Sequence, residues 1–318
     1  MNEENRIEIR KYDSSNKDEW DTFIANSKNG TFLLKRGYMD YHQDRFSDMS
    51  LMIYRKGKLF ALLPGNYDGE RYWSHQGLTY GGLVTNAKMD ASECIEVFNE
   101  IHKYLKAQGI KVVTYKPTPY IYHKIPSQED LYALYVTVEP RLLARCISST
   151  IYEDSRIKFI ESRKSGIRKA KKAGVRIEES DEIEKFWSIL NANLLANHST
   201  KPVHSAEELI LLKNRFPQNI KLYVAKNEKE EIIGGTLIYI TDQVIHTQYI
   251  SATEEGKFSG ALDMLFDYLI NERFTNYPYF DFGHSTENRG KYLNEALIFQ
   301  KEGFGGRGVC YDIYEYSL

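Results

Sequence analysis

Nine lysines and arginines and a single acid, Glu161, fall within residues 156–176, in a chain whose formal net charge is only −2. Cations this dense create a local positive field suited to phosphate or another polyanion. A second group of residues could move protons. Tyr279-Phe280-Asp281-Phe282-Gly283-His284-Ser285 carries a carboxylate and an imidazole at a strand end. His75 lies in the polar, glycine-rich stretch Trp73-Ser74-His75-Gln76-Gly77-Leu78-Thr79-Tyr80-Gly81-Gly82, and His246 in an apolar run. Asp281, His75, His284 and His246 are the candidate general bases. None stands in a recognisable triad with a nucleophile, which favours direct attack over a covalent enzyme intermediate. An Asp-Phe-Gly of the kinase type is excluded, since neither a glycine-rich ATP loop nor a catalytic-loop signature accompanies it.

The 318 residues, 42% hydrophobic, suffice for a large core and point to two domains. No apolar run approaches the roughly 18 residues a membrane span needs. The charged start MNEENRIEIRKYDSS does not resemble a secretory signal. Cys94, Cys146 and Cys310 lack CxxC or metal-ligand spacing, so no metal is expected. An odd cysteine count suits a reducing compartment, so a cytoplasmic location is expected. The 24 tyrosines suit half-buried strands, and equally a cleft for polar or sugar-like ligands.

These residues must be positioned by a mixed α/β pattern that runs twice. In the first half a helix is predicted over 18–27. Strands over 50–54 and 59–64 turn at Lys56-Gly57. A helix over 90–108, with apolar residues at helical spacing, stops at Gly109 before a buried strand over 110–115. A further strand is expected around 134–138, with the domain boundary near 150, giving domains 1–150 and 151–318. The second half repeats the order. Helices over 181–198 and 206–216 precede strands over 222–225, 232–240 and 244–251. A helix over 259–274, a strand over 279–282, a helix over 291–301 and a strand over 309–316 complete it. The resulting fold class is α/β, two tandem domains each with a mixed, mostly antiparallel sheet flanked by helices.

That element order resembles the GNAT acyltransferase fold, which implies a coenzyme A site after the strand ending at 251. Tyr249, Ile250 and Ser251 would lie along the donor thioester. Gly256, Lys257, Ser259, Gly260 and Ala261 would form the pyrophosphate turn, where helix amides and the dipole favour an anion. Glu255 stands where the family has a basic residue or Gln.

Two motifs narrow the resemblance. Arg163-Lys164-Ser165-Gly166-Ile167-Arg168-Lys169-Ala170-Lys171-Lys172-Ala173-Gly174-Val175 is similar to the basic stretch opening the second domain of FemAB-like proteins. Phe280-Asp281-Phe282-Gly283, then Gly290, Asn294 and Lys301 with Gly303-Phe304-Gly305, resembles that family's C-terminal pattern. The resemblance covers residues 156–305 and implies tandem GNAT domains. Name-giving members move amino acids from aminoacyl-tRNA onto peptidoglycan precursors. Their helical arm has no counterpart here, and armless relatives resemble acyltransferases of cell-envelope polysaccharide synthesis.

The expected function is therefore acyl transfer from acyl-CoA (acetyl-CoA) to a sugar or glycan precursor, such as a nucleotide-sugar. The alternative is aminoacyl transfer from tRNA. Arg36 and Tyr38, within a segment resembling the family's early region, would contact the acceptor. So would Gln76, Tyr80, Lys116, Arg163, Arg168 and Asn294, the cations meeting its phosphates. Two other possibilities are a non-catalytic nucleic-acid binder, which the near-neutral charge disfavours, and a merely solvated basic helix over 158–172.

Overall fold

The computed structural model describes residues 6–198 and 202–318. The chain divides into two units. One comprises Met1–Cys146, Asn288–Lys291 and Cys310–Leu318, the other Ile147–Glu287 and Tyr292–Val309.

In the first unit β1 (Ile7–Lys11) pairs antiparallel with β2 (Leu51–Arg55), after the helix α1 (Lys17–Asn26). The Lys56-Gly57 turn, both residues at positive φ, joins β2 to β3 (Lys58–Leu63). Pro64-Gly65 bends the chain into β4 (Asn66–Asp68), which pairs with β5 (Arg71–Trp73). The helix α2 (Ala91–Ala107), held at its start by a capping box between Asp90 and Glu93, crosses over to β6 (Val112–Tyr115). Strand β6 lies parallel to β5, and residues 314–317 of the last strand pair antiparallel with its other edge. The final strand therefore serves the first unit, not the second as its position in the chain suggested. Leu51, Ile53, Phe98, Ile101, Leu105 and Val113 form the core of this unit.

The segment expected to be a strand near 134–138 belongs to a helix, α3 (Glu129–Val138). Its run of apolar and β-branched residues reads as strand by propensity. However, Asp130, Ala133 and Leu134 are buried together at helical spacing, and the helix packs against α2. Glu139 ends it in the left-handed region.

Residues 147–152 of β7 (Arg141–Tyr152) belong to the second unit, followed by the basic helix α4 (Glu161–Lys172) and β8 (Arg176–Ser180). Helices α5 (Ile183–His198) and α6 (Ala206–Arg215) lead to an antiparallel run β9 (Ile220–Lys226), β10 (Ile232–Ile240) and β11 (Val244–Ala252). A further short helix, not expected from the sequence, precedes the helix predicted over 259–274. Gly260, at φ +80, separates α7 (Glu254–Ser259) from α8 (Ala261–Tyr268), which runs into a wider turn at Leu269–Arg273. Strand β12 (Tyr279–His284) lies parallel to β11 and antiparallel to β7. Helix α9 (Glu295–Glu302) and β13 (Arg307–Ser317) finish the chain. The second unit is thus an antiparallel run of four strands, a helical crossover, a parallel strand and an antiparallel sixth strand. In the first unit the strands before the crossover are divided between two sheets, and the parallel β6 and antiparallel β13 follow it. Among the described residues no helix is long and apolar enough to cross a membrane.

Gly260 is one of the tight joints of the second unit. A Cβ there would stand 2.4 Å from the carbonyl oxygen of Gly166, so α4 and the α7–α8 turn meet backbone to backbone. Gly260→Ala meets both the positive φ and this backbone contact, and should cost roughly 1–3 kcal/mol. Urea unfolding of the variant against the parent measures it; an unchanged midpoint would contradict the contact.

Candidate functional site

In the second unit the parallel strands β11 and β12 pair through Val244↔Tyr279, Ile245↔Phe280 and His246↔Asp281, and then separate. Two irregularities drive the separation. Gln248 bulges out of β11, where the register with β10 jumps between Leu237/Ile238. Gly283, at φ +73, is part of a second bulge against β7 between Asp281 and His284.

Asp281 pins the fork. It is fully buried; one oxygen accepts hydrogen bonds from Ser148 and from Thr150 (2.7 Å) on β7, the other lies 2.7 Å from His246 Nδ1 on β11. Burial works against its charge, but the bonds from His246, Ser148 and Thr150 outweigh that and hold the carboxyl at about 2. A carboxylate so enclosed is a strut among three strands and not the general base expected of it. His246 is its partner.

Past the fork the strands enclose a cleft of about 340 Å³. Ile250, Ser251 and Ala252 line it from β11 and Phe282 from β12; Leu190, Asn193 and Leu194 of α5 and Leu262 and Phe266 of α8 also line it. The predicted donor residues Ile250, Ser251 and Lys257 are all in the lining. Tyr249 is turned away, its hydroxyl 2.6 Å from His204 Nδ1 and its ring edge-on to Trp187. Ser251 Oγ accepts from Asn193 Nδ2 at 2.7 Å, with no base beside it that would make it a nucleophile.

Lys301, named before only as part of a motif, enters the cleft wall from α9. It is 5% exposed, donating to the carbonyl oxygens of Gly283 (2.9 Å) and His284 (2.6 Å). Burial lowers its ammonium to about 8. The Asp-Phe-Gly sequence is thereby explained: Asp281 pins the fork, Phe282 lines the cleft, and Gly283 turns two carbonyls towards a lysine. Phe304 stacks on Phe282 at 5.6 Å. The ring of His284 is not in the lining, and burial depresses it to about 4, leaving it neutral. Its contribution is its carbonyl.

The predicted pyrophosphate turn is differently built. Thr253 caps α7, its hydroxyl accepting from Gly256 N at 3.1 Å. A Cβ on Gly256 would stand 1.9 Å from Ile233 O, and Ala261 is fully buried. Gly256, Ser259, Gly260 and Ala261 therefore serve packing of α7 and α8 on the sheet and on α4. Arg163 is ion-paired with Asp263 in the first turn of α8 at 2.6 Å, and the exposed Arg168 with Glu161. Lys164, Lys171 and Lys172 stand exposed on α4, and Lys169 lies 3.4 Å over the Phe258 ring. The basic helix is thus packed directly on the turn where an anionic donor was expected. Asn294 caps α9 by accepting from Leu297 N and is a structural residue.

The first unit has the same parallel fork, through Arg71↔Val112 and Trp73↔Thr114, but it is closed. Ser74 N donates to Thr114 O, Lys116 N to Ser74 Oγ, and Gly81 N to Lys116 O. The buried Lys116 ammonium, lowered to about 8 by burial, donates to the carbonyls of Leu78 (2.5 Å) and Gln76 (3.4 Å). Gln76 is bonded to Asn66, and Tyr80 to Thr31 at 3.0 Å. His75, at φ +71, is buried beside His42 and Phe46; burial, then His42 and Lys116, lowers it to about 3. Arg36 is buried between Asp40 and Asp48, with its guanidinium 3.8 Å over Tyr12, and Tyr38 packs on Phe32 and Tyr41. Arg36, Tyr38, His75, Tyr80 and Lys116 are buried in the first unit and Gln76 is half-buried there; Nδ1 of His75 and Nε of Arg36 are buried without a hydrogen-bond partner. Among the described residues no group of three or more His, Cys, Asp and Glu is arranged for a metal.

No family model matches the chain, and no curated protein matches it. Solved structures do. FemX superposes with a TM-score of 0.70 at 10% identity, covering 98% of this chain and 97% of its own. L-PGS from Bacillus licheniformis gives 0.61 at 14%, covering 96% and 91%. A tandem GNAT protein from the clavulanic acid biosynthesis pathway gives 0.52 at 9%, covering 98% of both chains. The fold is accordingly the FemAB-like tandem GNAT fold.

Removing Asp281 leaves Ser148, Thr150 and His246 without their shared acceptor, so Asp281→Ala should lose about 3–5 kcal/mol of stability. Its carboxyl titrates lower in the folded state than in the unfolded chain. The contribution is thus complete above pH ~4 and lost as pH falls towards 2. Chemical denaturation of both proteins at pH 7 and pH 3 checks this: the difference between them must shrink at the lower pH.

Proposed function

We propose that the protein is an acyltransferase. It would take an acyl group from acyl-CoA and pass it to an amine or hydroxyl of a sugar or glycan precursor in cell-envelope synthesis. The observation that carries this reading is the opened fork of the second unit, with Ser251 on one wall and the buried ammonium of Lys301 in another.

The chemistry follows from the lining. As the acceptor attacks the donor carbonyl, negative charge develops on the carbonyl oxygen. A cation held in a water-poor wall stabilises that charge more strongly than it would in water. Lys301 has two of its three donors on carbonyls, which fix its position. Phe282, Phe304 and Phe266 exclude water around it. The cleft offers no activated nucleophile, in keeping with direct transfer. Lys257 at the cleft and the exposed cations of α4 would meet the carrier's phosphates.

A second reading, aminoacyl transfer from tRNA, is favoured by one observation: four lysines, Lys164, Lys169, Lys171 and Lys172, stand exposed along α4, a surface suited to a polyanion. RNA binding through them would weaken steeply with salt. Thermal stabilisation by acyl-CoA, absent with tRNA, supports the first reading. Salt-sensitive tRNA binding, lost in an Arg168→Glu, Lys172→Glu double variant, supports the second.

Lys301→Met should lower kcat by about 10²–10³ with KM little changed. In the parent, the rate should fall above pH about 8 as the ammonium deprotonates. Because this lysine's folded value lies below its unfolded one, its effect on stability improves from pH 8 upward. Unfolding linked to this group cannot mimic the loss. A kcat–pH profile of parent and variant tests the assignment, and an alkaline limb surviving in Lys301→Met would overturn it.

A further inference from the structure

We infer that the cleft of the second unit selects an uncharged, apolar acyl group larger than acetyl and discriminates against aminoacyl groups. This rests on the acyltransferase reading and adds the class of group transferred.

Among the described residues that line the cleft there is no carboxylate. Its walls are mainly Leu190, Leu194, Ile250, Leu262, Phe266 and Phe282. Phe266, Phe282 and Phe304 form one aromatic cluster, their ring centroids 5.2–5.6 Å apart. Of the polar side chains in the lining, Gln300 is a neutral amide, and the others already have protein partners. Asn193 Nδ2 donates to Ser251 Oγ and Ala252 O, both at 2.7 Å, and Lys257 Nζ to Glu254 at 2.6 Å. Lys301 donates to two carbonyls. An α-ammonium or a lysyl side chain entering here would meet Lys301 and find no counter-ion, a buried like-charge pairing that is strongly unfavourable. An alkyl chain would instead cover apolar walls. The cleft volume of about 340 Å³ is several times that of an acetyl group, which is near two waters at ~30 Å³ each, leaving room beyond the thiol end of a carrier.

In the transfer the acceptor nitrogen or oxygen bonds to the thioester carbon as the carbon–sulfur bond breaks. The sulfur leaves as thiolate, and the proton released by the acceptor ends on it, so only the acyl group changes hands.

Binding of acetyl-, butyryl-, octanoyl- and β-alanyl-CoA, measured calorimetrically on the full chain, tests the inference. Affinity should rise about threefold to fourfold per added methylene until the cleft is filled. β-Alanyl-CoA, nearly isosteric with butyryl-CoA but cationic, should bind at least tenfold more weakly. Leu262→Trp, with its fold checked by melting, should erase the octanoyl advantage. Equal affinities for acetyl and octanoyl, or for butyryl and β-alanyl, would overturn it. The same acyl groups on N-acetylcysteamine separate the two layers. If these rank as predicted while no CoA thioester binds, the CoA donor falls and the acyl preference stands. If they show no ranking, the acyl preference itself falls.

Discussion

A single buried carboxylate organises the second unit. Asp281 has no contact with solvent, yet it accepts hydrogen bonds from two strands flanking its own. A parallel pair of strands would ordinarily continue its ladder, since leaving amides and carbonyls unpaired in the interior is costly. Asp281 allows the ladder to stop. It fixes the last paired residues through side chains, so the strands beyond can part without the fork unzipping. The bulges at Gln248 and Gly283 supply the divergence, and the carbonyls released at 283 and 284 are satisfied by Lys301. The opening and the cation in its wall therefore have one structural origin.

The two units illustrate how the same parallel fork can be open or closed. In the first, the place beyond the parallel pair is occupied by the loop of residues 74–82. Backbone hydrogen bonds and the ammonium of Lys116 hold that loop. In the second, a lysine of similar burial binds carbonyls at the wall and leaves the space beyond to apolar side chains. Both ammonium groups are lowered to about 8 by burial, so the difference is not one of charge. It lies in whether the chain after the fork folds back into it.

The basic helix α4 combines two roles that composition alone could not separate. Its buried face, Ile167 and Ala170, and the glycine at 166 seat it on α8, with Arg163 bound to Asp263. Its remaining cations face solvent. Arg163 and Arg168 are already neutralised by acids, while the positive field arises from lysines along the exposed side. A surface of this kind attracts phosphate-bearing carriers over distance without specifying them.

Much of the architecture was legible in the amino-acid order because it follows from local rules. The Lys56-Gly57 turn, the helix ended by Gly109, the antiparallel run over 220–252 and the Asp-Phe-Gly strand are where spacing and turn residues put them. Propensity failed at residues 134–138, where packing against α2 made a helix of β-branched residues. The candidate site was legible only in part. Ile250, Ser251 and Lys257 line the cleft, while Tyr249, expected beside them, is not in its lining. By contrast His75, Arg36 and Lys116 proved to be interior residues. A polar side chain that binds a ligand and one that satisfies a buried neighbour look the same in a sequence. Lys301 carried no local signal beyond its motif, because its partners lie 17 and 18 residues away. The sequence determined the elements and their repeated order through backbone geometry and periodicity. Only the tertiary structure decided which polar groups were already paired, because burial and long-range hydrogen bonding belong to no single stretch of chain.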